Sequence, residues 1–403
     1  MGGRYHDGVP AYLDHAATTP VRPEAAAAMW PWLTERFGNP SGSHAVARAA
    51  RTAIDEARDV MGEILGAPPG DVVFTAGGTE SDNLALLGAL AARRDRSAGP
   101  GVIVTTPVEH EAVLRSAAMS GAEVRYVAVD ADGVVDLDAL ERAVDADVSV
   151  VSVMLVNNET GVVQPVREIV GIVRRKARGA LVHTDAVQAL PWLDLRTETT
   201  GADLVSVSAH KFGGPQGVGA LALRHRADIH AVTGGGGQER ERRPGTHNVA
   251  GIVGMAVAAA ATDGERGVQV ARVGPLRDRL VVGLLAAIDG SRQTARRAPK
   301  VPGHAHLCID GVESETLLVL LDDAGVYASA GSACASGAME PSHVLLAMGI
   351  DREEALGSLR LTLGPNTTPA DVELALRAVP DAVERLRGVG FDRGRLADAA
   401  KGA

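Results

Sequence analysis

Apolar positions along the first two-thirds of the chain come in two spacings that alternate. Short runs rich in Val, Ile and Leu occupy 72–75, 102–105, 124–129, 148–156, 181–184, 204–208 and 218–223, and predict strands. Between them apolar residues recur every three to four positions over 79–94, 111–120, 137–144 and 166–177, which predicts helices. The strand runs are apolar almost continuously, so both faces of their sheet must be covered. Helices alternating with such strands predict an α/β fold, a mainly parallel sheet sandwiched by helices. The run Gly234-Gly235-Gly236-Gly237 ends this unit. Beyond it, two helical stretches, 248–262 and 269–288, lead to a polar, basic stretch at 291–300 that is expected to be a surface loop. Helical periodicity returns near 313–324, 341–348 and 369–386, with fewer strands. The pattern divides the chain into a large domain, 16–264, and a smaller α+β domain formed by 1–15 and 265–403.

Composition narrows the picture. Of the 403 residues 46% are apolar but only 3% aromatic, so Ala, Val and Leu must fill the core. A formal charge of −10 argues against a surface built to coat nucleic acid. No run approaches the roughly 20 apolar residues that cross a bilayer, and the first ten residues lack the apolar segment of a signal peptide. A cytoplasmic protein is expected. The two cysteines cannot make a disulfide framework, and no metal site is expected. Cys308, in His306-Leu307-Cys308-Ile309, sits in an apolar run and reads as packing. Cys334 lies among small residues, Ala330-Gly331-Ser332-Ala333-Cys334-Ala335-Ser336-Gly337. Such a stretch cannot pack a core and is expected to form a loop with freedom to move.

Candidate chemistry begins with Asp185 and Lys211, each just past the end of an expected strand. In a parallel sheet, such positions line the ligand crevice. An acid facing a pyridine nitrogen and a lysine able to bond an aldehyde form the arrangement that holds pyridoxal 5'-phosphate. Taken alone, a lone Asp and a lone Lys read more simply as a solvated surface pair. The turn Thr75-Ala76-Gly77-Gly78-Thr79-Glu80-Ser81 changes that balance, because it follows a strand and opens a helix. Free N–H groups and the positive end of the helix dipole make it a phosphate cradle, with Gly78 and the Thr79 hydroxyl at its centre. It matches neither G-x-G-x-x-G nor a P-loop, so a nucleotide is the poorer ligand.

Several motifs in order resemble those of the cysteine desulfurases, a group of class-V aminotransferase-type, fold-type I pyridoxal-phosphate enzymes. They are Tyr12-Leu13-Asp14-His15-Ala16-Ala17-Thr18-Thr19-Pro20, Phe37-Gly38-Asn39-Pro40-Ser41, Gly78-Thr79-Glu80-Ser81-Asp82-Asn83, Val156-Asn157-Asn158-Glu159, His183-Thr184-Asp185-Ala186-Val187-Gln188, Ser206-Val207-Ser208-Ala209-His210-Lys211 and Gly331-Ser332-Ala333-Cys334. The resemblance runs from about residue 12 to about 370 and is nearest to the long-loop type. Ala330, Thr160 and Ala209 depart from common family residues without removing a reactive group.

The resemblance implies roles. Lys211 would carry the cofactor and move a proton, Asp185 would hold the ring nitrogen, and Gln188 would contact the phenolic oxygen. His110 would stack on the ring and assist proton transfer, with Asn158 near the ring substituents. Thr79, Ser208 and His210 would hold the phosphate. Thr246, in Arg243-Pro244-Gly245-Thr246, would reach the phosphate of a second subunit, which implies a homodimer. Arg360 and Asn39 would bind the carboxylate of L-cysteine, Arg360 through its planar fork. Cys334 would take the sulfur as a persulfide and pass it to an acceptor protein. Iron–sulfur assembly is the favoured destination, with tRNA thiolation and DNA phosphorothioation as others. A selenocysteine lyase or another class-V enzyme is the alternative activity, and a non-catalytic scaffold for sulfur carriers is a second.

Overall fold

Runs of Val, Ile and Leu too apolar to face water on either side become the inner strands of one sheet. In the computed structural model of the chain, which describes residues 10–94, 101–225, 227–331 and 340–401, that sheet has seven strands. Their spatial order is Val72–Thr75, Gly219–Leu223, Leu204–Ser208, Leu181–Asp185, Val148–Ser152, Val102–Thr105 and Glu123–Tyr126. The strands Val102–Thr105, Val148–Ser152 and Leu204–Ser208 are buried at every position. Glu123–Tyr126 closes one edge, and its Glu123 and Arg125 blunt that edge with charge.

Neighbouring strands are parallel except at Gly219–Leu223, which runs antiparallel to both of its partners. The reason is the connection before it. Only residues 209–218 separate Gly219–Leu223 from Leu204–Ser208, and a parallel crossover needs about a dozen residues or more. That short return begins with the 3-10 turn Ala209–Lys211, and so leaves Lys211 at the carboxyl end of a central strand.

Two expectations are corrected. The helical stretches expected at 248–262 and 269–288 form one helix, Val249–Ala287, which continues through Gly264, Gly267 and Pro275. It packs along Pro23–Thr34, Ala45–Leu65 and Pro369–Lys401, and this tertiary support outweighs the local helix breakers. The stretch 291–300, expected as a surface loop, begins with an edge strand, Ser291–Gln293, paired antiparallel to His304–Ile309. A polar three-residue edge strand has no apolar alternation to betray it.

Ser358–Thr362 pairs with the other side of His304–Ile309. Ala11–Tyr12 runs parallel to Val326–Tyr327, and Asp14 bridges Thr362, so the start of the described chain is stitched to its last third. The core is aliphatic, as the low aromatic content requires. Cys308 is buried within it among Val344, Leu345 and Met348, and burial pushes its thiol up to about 11. Among the described residues no helix is long and apolar enough to cross a membrane.

Candidate active site

Four adjacent parallel strands end in Thr105, Ser152, Asp185 and Ser208, where the crevice of an open α/β sheet lies. A cavity of about 690 Å³ opens there, within the usual range for a small-molecule site. It gathers Gly78, Thr79, His110, Asn158, Asp185, Gln188, Ser208, His210, Lys211 and Arg360, residues spread over nearly 300 positions. Asn39 does not line it: this side chain is exposed in a turn, where its Oδ1 accepts the Ser41 N–H at 3.0 Å. Thr246 is likewise exposed on a loop away from the cavity lining. Cys334 falls in 332–339, outside the described residues. The residues on either side of that gap, Gly331 and Glu340, both reach the cavity wall.

Each side chain is aimed by its element. Asp185 is the last residue of its strand, and its Oδ1 accepts the Val187 N–H at 2.8 Å. Burial, and then the charge of Asp82, push its carboxyl up to about 7. Lys211 donates from Nζ to the carbonyls of Ala16 at 2.6 Å and Ala17 at 2.8 Å. Burial and the neighbouring Arg360 lower it to about 8, close to what a proton-moving amine needs. Gln188 Nε2 donates to the same Ala16 carbonyl at 2.8 Å. His110 caps the helix Glu111–Met119, with its Nδ1 accepting the Ala112 N–H at 3.1 Å, so the ring is oriented by the backbone. His210 meets Thr18 Oγ1 at 3.2 Å through Nδ1, and burial lowers it to about 4.

On the far wall Arg360 donates to Asp14 Oδ1 at 2.9 Å and to the Asn158 carbonyl at 3.1 Å. Among the described residues its buried Nε has no hydrogen-bond partner, and the side chain lines the cavity. Across the crevice, Gly78 opens the helix Gly78–Arg94. A Cβ there would stand 2.8 Å from Val187 Cγ2, so a larger residue would have to displace that side chain.

Sequence reading missed the layer beneath. His183 is fully buried, its Nδ1 2.8 Å from Ser152 Oγ and its Nε2 3.0 Å from Ser206 Oγ. Asp82 Oδ1 stands 3.5 Å from that Nε2, and burial pushes the Asp82 carboxyl up to about 7. Glu109 takes the Thr106 hydroxyl at 2.7 Å and the Met154 N–H at 3.0 Å, and burial pushes it up to about 8. A signal for His183 was present: an ionisable residue inside an apolar strand, two positions before Asp185 and therefore on the same face. Asp82 and Glu109 gave none, because acids near helix starts are usually solvated.

The residues present fit pyridoxal phosphate. Among the described residues Asp185 has no Lys or Arg ion pair, and Asp82 Oδ1 is buried without a hydrogen-bond partner. A ring N–H would supply the missing positive charge. The helix start offers free N–H groups to a phosphate, and Lys211 offers its amine within the same cavity.

This fold and site define the class of the protein: residues 11–375 match the family Aminotransferase class-V. Among solved structures, a NifS-like protein superposes with a TM-score of 0.86 at 35% identity, covering 93% of this chain and 99% of its own. DndA from Streptomyces lividans gives 0.73 at 37% identity, covering 87% and 99%. The IscS-like cysteine desulfurase of Mycobacterium tuberculosis is 47% identical over 401 residues, 98% of this chain and 99% of that one. The chain belongs to the class-V aminotransferase family, among its cysteine desulfurases.

Proposed function

We propose that this protein is a pyridoxal-phosphate-dependent cysteine desulfurase that converts L-cysteine to L-alanine and loads the released sulfur onto Cys334. The observation that carries the reading is one cavity holding the amine of Lys211, the buried carboxyl of Asp185 and the guanidinium of Arg360. The chemistry that pyridoxal phosphate supplies when bound is withdrawal of electrons from the substrate Cα.

The chain's own residues do the rest. Asp185 holds the ring nitrogen, Gln188 the phenolic oxygen, and Thr79, Ser208 and His210 the phosphate. Arg360 receives the substrate carboxylate, with Asn158 beside it in the cavity wall. Lys211 Nζ takes the Cα proton and returns a proton to the product, assisted by His110. Cys334 attacks the substrate sulfur as thiolate, since the thiol is a poor nucleophile. The Cβ–S bond breaks and an S–S bond forms, so that L-cysteine and the Cys334 thiol become L-alanine and a Cys334 persulfide. An acceptor protein then takes the outer sulfur, and an iron–sulfur scaffold is the favoured one.

Two copies form the working unit in this reading, with Thr246 of each reaching the other's phosphate. Trp30, Leu33 and Phe37 support it, as large apolar side chains exposed close together in sequence. A cytoplasmic setting, and the division at residue 264 between a large cofactor domain and a smaller one, complete the proposal. The test follows alanine and sulfide formed from cysteine, with the visible spectrum, in wild type and Cys334→Ala. A yellow variant that releases almost no sulfide is expected. Turnover at the wild-type rate would leave a lyase as the better reading.

A further inference from the structure

Away from the cavity, one short segment carries unusual backbone strain. Glu239, Arg240 and Glu241 are consecutive non-glycine residues at φ of 47°, 57° and 65°. L-residues visit this left-handed region singly, if at all, because Cβ crowds the following carbonyl. A run of three persists only where the surroundings over-determine it, and such places cluster at ligand clamps.

The Glu239 carboxylate is what holds the run. Its Oε2 and Oε1 each accept a hydrogen bond from Arg58 at 2.7 Å, Oε2 also accepts the Phe74 N–H at 2.9 Å, and Oε1 meets His247 Nε2 at 2.7 Å. These donors come from three places. Arg58 lies on the helix Ala45–Leu65, its guanidinium 4.8 Å from the Phe74 ring centroid. Phe74 lies on the strand Val72–Thr75, which runs directly into the turn that ends at Gly78 and Thr79. His247 is the immediate neighbour of Thr246. A second tie runs parallel to this one: Arg243 Nε donates to Glu80 Oε1 at 2.8 Å, while Glu80 Oε2 accepts the Ala76 N–H.

We infer that Glu239 is a positioning residue for phosphate binding, locking the strand that feeds the cradle and the segment that presents Thr246 into one geometry. It touches no ligand and acts through its four hydrogen bonds. The inference rests on the reading that the cofactor phosphate is held by Thr79 and Thr246.

The test uses the full-length chain, stripped of cofactor and titrated with pyridoxal phosphate and, separately, with pyridoxal, which has the ring and aldehyde without the phosphate. Visible absorbance gives both affinities. Glu239→Gln is expected to weaken pyridoxal phosphate about tenfold, the effect of losing a charge-assisted hydrogen bond, and to leave pyridoxal unchanged. His247→Ala removes one of the four bonds and keeps the Arg58 pair. It should show a smaller loss with the same selectivity, and it decides the matter if Glu239→Gln does not fold. Equal losses for the two ligands overturn the inference, as does unchanged affinity in folded variants. If Thr79→Ala selectively weakens pyridoxal phosphate and the other two variants do not, the inference alone fails. A wild type that binds both ligands equally overturns the phosphate reading and the inference with it.

Discussion

Two groups of buried carboxyls in this molecule are treated in opposite ways. At the floor of the cavity, burial pushes Asp82 and Asp185 up to about 7 and Glu109 up to about 8. At the strained segment, burial would also raise Glu239. Hydrogen bonds from Arg58 and His247, the Arg58 charge and the Phe74 N–H outweigh it and hold the group at about 2. The desolvation penalty is common to both, and the difference lies in compensation. The chain surrounds Glu239 with donors from its own side chains. Among the described residues it gives Asp185 one backbone N–H and no Lys or Arg ion pair, which leaves room for a positively charged ligand group. A carboxyl that is stable by itself serves architecture, and one left short of positive charge serves binding.

The most severe way to break this contrast is to remove the group that answers the floor. Lys211→Ala should lower alanine formation from cysteine by about a thousandfold or more, as expected when a covalent and proton-transfer group is lost. Its fold should survive at a modest cost, because Lys211 makes two hydrogen bonds to backbone carbonyls and, among the described residues, no ion pair. Next, Asp185→Asn keeps the shape and removes the charge. Its turnover should fall about a hundredfold, with the visible band showing whether cofactor is retained.

Glu239→Gln should act on stability first. Its folded-state pKa is depressed from 4.5 to about 2, so its contribution is fully present above the unfolded value and is lost as pH falls from 4.5 towards 2. Denaturant titration at pH 7 should show a loss of about 3 kcal/mol, the linkage equivalent of that shift, and the gap from wild type should close with acidification. The smallest effect belongs to Asp82→Asn. It removes a negative charge that raises Asp185, so the pH at which the visible band of the bound cofactor titrates should fall by about one unit or less. An upward movement would mean that the two carboxyls do not face one another electrically.

Much of the scaffold was legible because its strands need burial on both faces, and a run such as 148–152 advertises that directly. The antiparallel turn-back at Gly219–Leu223 was not legible, since strand direction depends on the length of the connection. Nor was the fusion of two expected helices into Val249–Ala287, because glycines and a proline weaken the local signal while packing against three other helices restores it. Within the site, Lys211, Asp185 and the Gly78-Thr79 turn could be read from residue type and place. Asp82 and Glu109 could not, since an acid at a helix start looks the same whether it is solvated or buried.

By itself, then, the sequence determined the alternation of strands and helices, the Gly-rich turn that opens a helix, and several of the residues that gather in one cavity. These follow from local periodicity and from side-chain chemistry, which every residue carries with it. Tertiary structure alone decided which carboxyls stay under-compensated and which do not. Glu239 is held low by Arg58, which is 181 positions away, and Asp185 is raised by burial and by Asp82 on a different element. Burial and charge act through space, so neither effect is written at the residue that feels it.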